Sequence, residues 1–361
     1  MKKIGLFATL VLWLGLCVAA WVLPSNEISE SERRKLEQFP AVSLKEILSG
    51  DWMEDFESYT LDQFPLRDTF RRVKALVHYN LLGQKDNNGI YIADGYAAKV
   101  EYPLNENSLN NALDKFQKLY DKYLTDSKVY FSVVPDKGFF LAQPNGYLAM
   151  DYRALMAHMS AGMPWAEFVD ISGDLTLESY YKTDTHWRQE KILNVARVLC
   201  EALKTGAFGD EEWTRETLER PFYGVYYGQA ALPMEAEEMV LLHHEILKKC
   251  TVYNHETGKT TGIYDWAKLE SQDLYDVFLS GAAALLTIEN PAGTPGRELI
   301  VFRDSYGSSL IPLLVKDYAR VTVIDTRYVA PMLLEKFVEF KGQDVLMLYS
   351  TLLLNNSFSL K

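Results

Sequence analysis

The chain has 361 residues, 48% hydrophobic and 13% aromatic, with a formal net charge of -12 from 37 Lys+Arg against 49 Asp+Glu. That is enough length and apolar mass for one large or two small packed domains. The basic residues are scattered, which excludes a nucleic-acid groove and leaves a polyanion repelled except at a local basic patch.

At the N-terminus Met1-Lys2-Lys3 precedes an uncharged run from Ile4 to Asn26, "IGLFATLVLWLGLCVAAWVLPSN". About 20 apolar residues suffice to span a bilayer, whereas a cleaved signal has a core of roughly 7–15. The expectation is an uncleaved signal anchor over residues 1–26, single-pass in the cell membrane. The lysines keep the N-terminus in the cytoplasm and the rest of the chain extracytoplasmic. Val18-Ala19-Ala20 leaves cleavage, and a secreted form, as the alternative. A lipoprotein cysteine at Cys17 is disfavoured because Leu14-Gly15-Leu16 lacks the small residue it needs. Only Cys200 and Cys250 remain, so no disulfide framework holds the fold. Cys200 falls on the apolar side of a helical pattern, where a buried free thiol is expected.

Residues 27–80 are charged and broken by Pro40 and Pro65. They read as a stalk and lead-in helices to an α/β domain over 81–361. Asn87-Asn88-Gly89 and Asp94-Gly95 bracket a short strand, Ile90 to Ala93. Leu109, Leu113, Phe116, Tyr120 and Tyr123 recur at helical spacing within Ser108–Leu124. "KVYFSVVP" then reads as a central strand, "WAEFVDIS" as a weaker one and "RQEKILNVARVLCEALKT" as an amphipathic helix. Residues 205–275 suggest a β-rich insertion of hairpins, "YGVYYGQAAL" and "KCTVYNHETGKTTGIYDW" among them. The last third alternates "ELIVFRDS" strand, "SSLIPLLVKDYA" helix, "RVTVIDT" strand, "MLLEKFVEF" helix and "DVLMLYST" strand. Apolar strands alternating with amphipathic helices predict a three-layer α/β sandwich with a mainly parallel sheet.

In such sheets chemistry gathers where strand carboxyl ends meet helices. "VFRDSYGSS" is such a junction, placing the Ser305 hydroxyl beside exposed N–H groups that can receive an oxyanion. Helix capping by Asp304, Ser305, Ser308 or Ser309 explains the same residues. A serine nucleophile needs a base and a group that fixes the base's tautomer. In "YYKTDTHW", Asp184 and His186 stand two apart and share a direction in an extended segment. A capping aspartate with His186 and Trp187 packed on a first helical turn is the plainer reading.

Together the two motifs, behind an N-terminal anchor, resemble the DHHW family of bacterial surface proteins and the periplasmic alginate O-acetyltransferases, both SGNH-hydrolase-like. "FPLRDTF", "NGIYIADGY", "VVPDKG", "DLYDVFLSG" and "VIDTRY" extend the resemblance from about residue 30 to the C-terminus. It implies Ser305 as nucleophile, His186 as base and Asp184 as its orienter, in the reverse of the usual SGNH chain order. It also implies O-acyl transfer, most simply acetyl, onto a cell-surface or secreted polysaccharide. The donor would come through a membrane-bound O-acyltransferase partner, with no cofactor. Two positions depart from the pattern. Thr185 stands where the family name has the first of two adjacent histidines, as in the alginate-type sequences. Ala282, in "FLSGAAALLTI", stands where relatives carry an asparagine suited to an oxyanion hole. Gly281, Arg303 and the Ser305 and Tyr306 N–H groups are the substitutes.

Lys137, after a strand, can meet an acidic substrate or acyl donor, or be a solvated loop lysine. Tyr180 and Tyr181 suit core packing or stacking on a sugar. Trp187 is expected to pack beneath His186 and restrain it, and Asp325 and Arg327 to pair. "HHE" at His243–Glu245 lacks a zinc-type partner spacing, and no glycine-rich phosphate loop follows a strand. An esterase of the same fold and a non-catalytic glycan-binding or assembly protein are the rival readings.

Overall fold

The computed structural model describes residues 2–29 and 31–361. Met1 and Glu30, which fall in the expected anchor and stalk, lie outside the described residues. The chain divides into two compact units, residues 1–89 with 227–234, and 90–226 with 235–361.

The first unit is helical. α1 (Lys2–Val22) has no charge beyond Lys3 and is long and apolar enough to cross a membrane. α2 (Leu44–Ser49) and α3 (Asp51–Asp62) follow, separated at Gly50, whose φ of 92° lets the chain turn between them. α4 (Arg67–Leu76) continues as a wider π turn over Val77–Leu81. Pro65 and the left-handed Leu66 set the corner before it, because proline cannot continue α3.

The second unit is the α/β sandwich. The eight strands of its main sheet are β1 (Lys128–Val134), β2 (Ala166–Phe168), β3 (Thr251–Asn254), β4 (Lys259–Thr261), β5 (Leu285–Glu289), β6 (Thr294–Arg303), β7 (Tyr318–Ile324) and β8 (Asp344–Ser350). Their order is β4-β3-β5-β7-β6-β8-β1-β2. From β7 to β2 neighbours run parallel, and the β4, β3 and β5 side is antiparallel. The mainly parallel sheet is therefore borne out, with an antiparallel flank. The β3–β4 hairpin lies within the expected insertion, yet it extends the main sheet through β5.

Alternation along the strands assigns the two faces. Tyr130, Val301, Val323 and Leu346 join a core with α7 (Leu193–Ala202), while Phe131, Ile300, Ile324 and Met347 join one with α5 (Glu106–Leu119) and α6 (Tyr152–Gly162). Asn105 caps α5, its side chain accepting from the Ser108 N–H at 3.1 Å. Cys200 and Cys250 are buried free thiols.

Several local readings change. "KVYFSVVP" is second from the sheet edge, with the three-residue β2 outside it. α7 starts only at Leu193, after a tight turn at Gln189–Lys191. The Gln189 side chain explains the delay: it donates to the Ser309 carbonyl and accepts from the Leu242 N–H. The helix expected over "SSLIPLLVKDYA" is a single turn, Gly307–Leu310, that tightens to 3-10 over Ile311–Leu314, where Pro312 removes a donor. "MLLEKFVEF" forms a 3-10 stretch, Pro331–Lys336. "YGVYYGQAAL" is no hairpin; it turns into a helix at Val225–Ala230.

Candidate active site

The parallel strands deliver their carboxyl ends to one edge, and β6 ends there at Arg303, immediately before Asp304-Ser305-Tyr306. Asp304 fixes that turn. One carboxylate oxygen accepts from the Tyr306 N–H at 3.1 Å and the other from the Ser350 N–H at the end of β8, at 2.8 Å. Ser305 is half-buried, whereas Tyr306, Gly307 and Ser308 behind it are buried. Gly307 is needed because a Cβ there would stand 2.8 Å from the Arg303 Cβ.

The partner loop is Tyr180–Trp187, closed by an antiparallel bridge between those two residues. Within it His186 Nδ1 lies 2.6 Å from Asp184 Oδ1, and His186 Nε2 lies 2.7 Å from Ser305 Oγ. A carboxylate only accepts, so the imidazole proton sits on Nδ1 and Nε2 is left to accept from the serine hydroxyl. Asp184 is 1% exposed and His186 7%. The second oxygen of Asp184 accepts from the Val225 N–H at 2.8 Å, and the first also accepts from the His186 N–H at 3.0 Å. Asp184 is therefore not a helix cap.

Residues with no evident motif hold this loop in place. The Glu237 carboxylate accepts from the Lys182 and Thr183 N–H groups and the Thr183 hydroxyl, each at 2.7 Å. Gly224 presses on the loop so closely that a Cβ would stand 2.2 Å from the Asp184 Cα. Thr185, in the place of the first of the family's two histidines, is clamped by two tyrosines. Tyr306 donates its hydroxyl to the Thr185 carbonyl at 2.6 Å and Tyr226 donates to the Thr185 hydroxyl at 3.1 Å. The ring beneath His186 is that of Tyr275, stacked at 3.9 Å and 5°. Trp187 instead packs edge-on against Tyr306 and donates to the Tyr306 carbonyl and the Ser309 hydroxyl, both at 3.0 Å. It restrains the serine turn, and Tyr275 restrains the imidazole. Burial raises the Tyr275 phenol, which stays neutral and bonds Ser309 at 2.8 Å. Only a helical reading of "DLYDVF" with its ring turned toward the D-x-H-W loop would have signalled Tyr275.

Lys137 is neither a solvated loop lysine nor a group open to substrate. It is 1% exposed, and its ammonium donates to the Tyr181 and Lys182 carbonyls at 2.8 and 3.1 Å. Burial pushes it down to about 7, against the opposing pull of Asp184, Glu237 and Asp136. Tyr180 and Tyr181 are buried too, Tyr181 edge-on to Phe222, so neither presents a face to a sugar.

The oxyanion side is sparser. The Tyr306 N–H is taken by Asp304, and the Gly281 N–H donates to the Phe278 carbonyl at 3.0 Å. Arg303 is fully buried; it donates to the Gly281 carbonyl at 3.1 Å and faces Asp325 at 3.7 Å, and burial lowers its pKa. Asp325 in turn takes Arg327 in a two-point pair at 2.9 and 2.6 Å. Of the four substitute donors, two keep an N–H without a protein acceptor among the described residues: the Ser305 backbone N–H and the buried Arg303 Nε–H. Ala282 is exposed, and it follows three left-handed residues, Leu279, Ser280 and Gly281, with φ of 52°, 61° and 76°. For the two that carry a Cβ this conformation costs roughly 1–2 kcal/mol each, the kind of strain that collects at functional segments.

A family model described as DHHW protein matches residues 175–324, which carry the D-T-H-W loop and the serine turn. The fold is shared with a DHHW family protein from Eubacterium siraeum, at 20% identity and TM-score 0.60 over 76% of this chain and 95% of that one. It is shared also with Bacillus cereus PatB1, at 14% identity and TM-score 0.57 over 73% and 96%. PatB1 with a sulfonyl adduct gives 13% identity and TM-score 0.56 over 73% and 95%. At such identities the likeness is one of fold. No curated protein matches. The resemblance read from the two motifs is thereby borne out: over residues 175–324 this chain matches the DHHW family, on a three-layer α/β scaffold shared with these structures.

Proposed function

We propose that this protein is a serine-dependent O-acyltransferase, most simply an acetyltransferase, that acts outside the cytoplasm on a hydroxyl of a cell-surface or secreted polysaccharide. The observation that carries the reading is the unbroken relay from Asp184 through His186 to the half-buried Ser305, at 2.6 and 2.7 Å. In the first half-reaction Ser305 Oγ attacks the acyl carbon of a donor ester while its proton passes to His186 Nε2. The tetrahedral oxyanion meets the Ser305 N–H, then collapses and expels the donor's oxygen, which takes the proton back. In the second half a sugar hydroxyl gives its proton to His186 and attacks the acyl-serine, and Ser305 leaves reprotonated. Asp184 holds the imidazole in the required tautomer and stabilises its charged form. A single-pass anchor formed by α1 would hold the unit at the membrane, where a membrane-bound O-acyltransferase would supply acyl groups.

Water in place of the sugar would make the same site an esterase; exclusion of water from the acceptor side decides. A non-catalytic glycan-binding or assembly protein is favoured by one observation, Ala282 with the depleted donors around it. A fluorophosphonate or sulfonyl fluoride probe separates enzyme from binder. Labelling of the folded wild type that disappears in Ser305→Ala supports an enzyme, and an unlabelled folded wild type supports the binder. Acetyl transfer from a chromogenic ester to candidate oligosaccharides then separates transferase from esterase. Equal product with His186→Ala would remove the imidazole from the mechanism.

A further inference from the structure

α4 is amphipathic the wrong way round. Leu66, Phe70, Val73, Val77 and Leu81 recur at spacings of three and four, so they form one stripe along α4 and its continuation. All five are exposed, by 38 to 77%. On the opposite side Ala75 is fully buried, and Arg67 and Arg71 turn inward to Glu32, at 2.6 and 3.1 Å. Arg71 also donates to the Gly228 carbonyl at 2.9 Å. A helix on a water-facing surface does the reverse, burying its apolar stripe and showing its charges. Of the cations left outside, Lys74 flanks the stripe, whereas Arg72 stands four residues from Asp68 on the other side.

The chain ties this helix to the end of α1. Asn26, four residues beyond Val22, donates its N–H to Gln63 Oε1 at 2.9 Å and accepts from Gln63 Nε2 and Gln38 Nε2, each at 2.9 Å. Gln63 closes α3, three positions before Leu66. Four extended residues reach at most about 14 Å, and the headgroup zone beyond the hydrocarbon is roughly 5–8 Å deep on each side. The start of the stripe is therefore held within reach of the bilayer surface.

We propose that α4 and its continuation to Leu81 lie in the headgroup layer of the membrane, the apolar stripe among the upper acyl chains and Lys74 against lipid phosphates. This rests on the reading of α1 as a membrane anchor. The spacing alone also suits a second copy of the helix, but pairing across Val73 would bring Lys74 of one copy toward that of the other. Anionic headgroups match it, and the tie to α1 favours the membrane.

The test uses the full chain in vesicles of mixed phosphatidylcholine and phosphatidylglycerol, with acyl-chain nitroxide lipids as quenchers. A dye on the native Cys17 reports on the anchor. In a Cys17→Ala background, where the remaining cysteines are buried, dyes at Val73→Cys and Val77→Cys report on the stripe, and one at Asp68→Cys on the other side of the helix. Quenching at 73 and 77 by lipid labelled near the headgroup, about twofold or more above that at 68, supports the proposal. Quenching of Cys17 without quenching at 73 and 77 overturns it and leaves the anchor standing. An unquenched Cys17 overturns the anchor reading and the proposal with it. Cross-linking of Val73→Cys between copies, without quenching by lipid, assigns the stripe to a second copy and overturns it as well.

Discussion

The two halves of the active site are built to different standards. On the relay side every group is buried or clamped: the Asp184 carboxylate takes three donors, His186 lies flat on Tyr275, and Glu237, Gly224 and two tyrosines hold the loop between them. On the oxyanion side the Tyr306 and Gly281 N–H groups serve the fold, Arg303 is partly engaged, and Ala282 offers no side-chain donor. Proton relay depends on side chains brought from two distant segments, so it needs scaffolding. An oxyanion hole needs little more than a free N–H, so it can be pared down while the relay stays whole. Under the proposed function, that difference corresponds to a slow enzyme with its relay whole rather than to a decayed one.

The largest expected effect breaks the relay side outright. Ser305→Ala and His186→Ala should each lower kcat for ester cleavage by at least about 10⁴-fold, with the double variant no worse, as for groups that act as one unit; single-turnover kinetics with a chromogenic ester checks this. Gly224→Ala comes next. Its methyl must displace the Asp184 backbone, so kcat should fall by about 10²-fold with KM little changed, since a small misplacement of the relay is enough. A thermal melt alongside the kinetics shows whether the loss is positional or a loss of fold.

Ala282→Asn sharpens the comparison from the other side. If donors limit the rate, an amide there should raise kcat by about 10-fold or more and leave KM unchanged, a fraction of the roughly 10²–10³ that one such donor supplies elsewhere. No gain would mean that the left-handed run before Ala282 aims that position away from the oxyanion. The smallest effect concerns Lys137. Its folded pKa of about 7 lies below the unfolded value near 10.4. The unfolded chain therefore binds more protons between those values, and stability should rise with pH across that window. Measured as the difference from Lys137→Met, denaturant-unfolding free energies should grow by about 1 kcal/mol per pH unit from 7 to 10 and stay flat below 7.

The relation between sequence and structure follows the same division. Asp184 and His186 were legible because an i, i+2 pair in an extended segment constrains its own geometry, and Ser305 because an apolar strand ended in a polar turn. The positioning groups were not legible. Glu237, Gly224 and Tyr275 reach the loop from segments remote in sequence, and a lone glutamate, glycine or tyrosine has no local signature. Lys137 was misjudged for the same reason: a lysine after a strand is normally solvated, and only the carbonyls of Tyr181 and Lys182 closing over it explain its burial. The helices drawn after β6 and β7 were too long because Pro312 and the nearby strand starts left no room for further turns.

By itself, then, the sequence determined what is local or periodic: an apolar N-terminal helix, alternating apolar strands and helices, and three side chains of the right chemistry, one after a strand end and two in an extended loop. The tertiary structure decided what depends on distance. It set the imidazole 2.7 Å from the serine, put Tyr275 rather than Trp187 beneath it, and committed the Tyr306 and Gly281 N–H donors to the fold. Hydrophobic periodicity fixes which face of an element is buried, but which remote polar group meets another depends on how the faces pack.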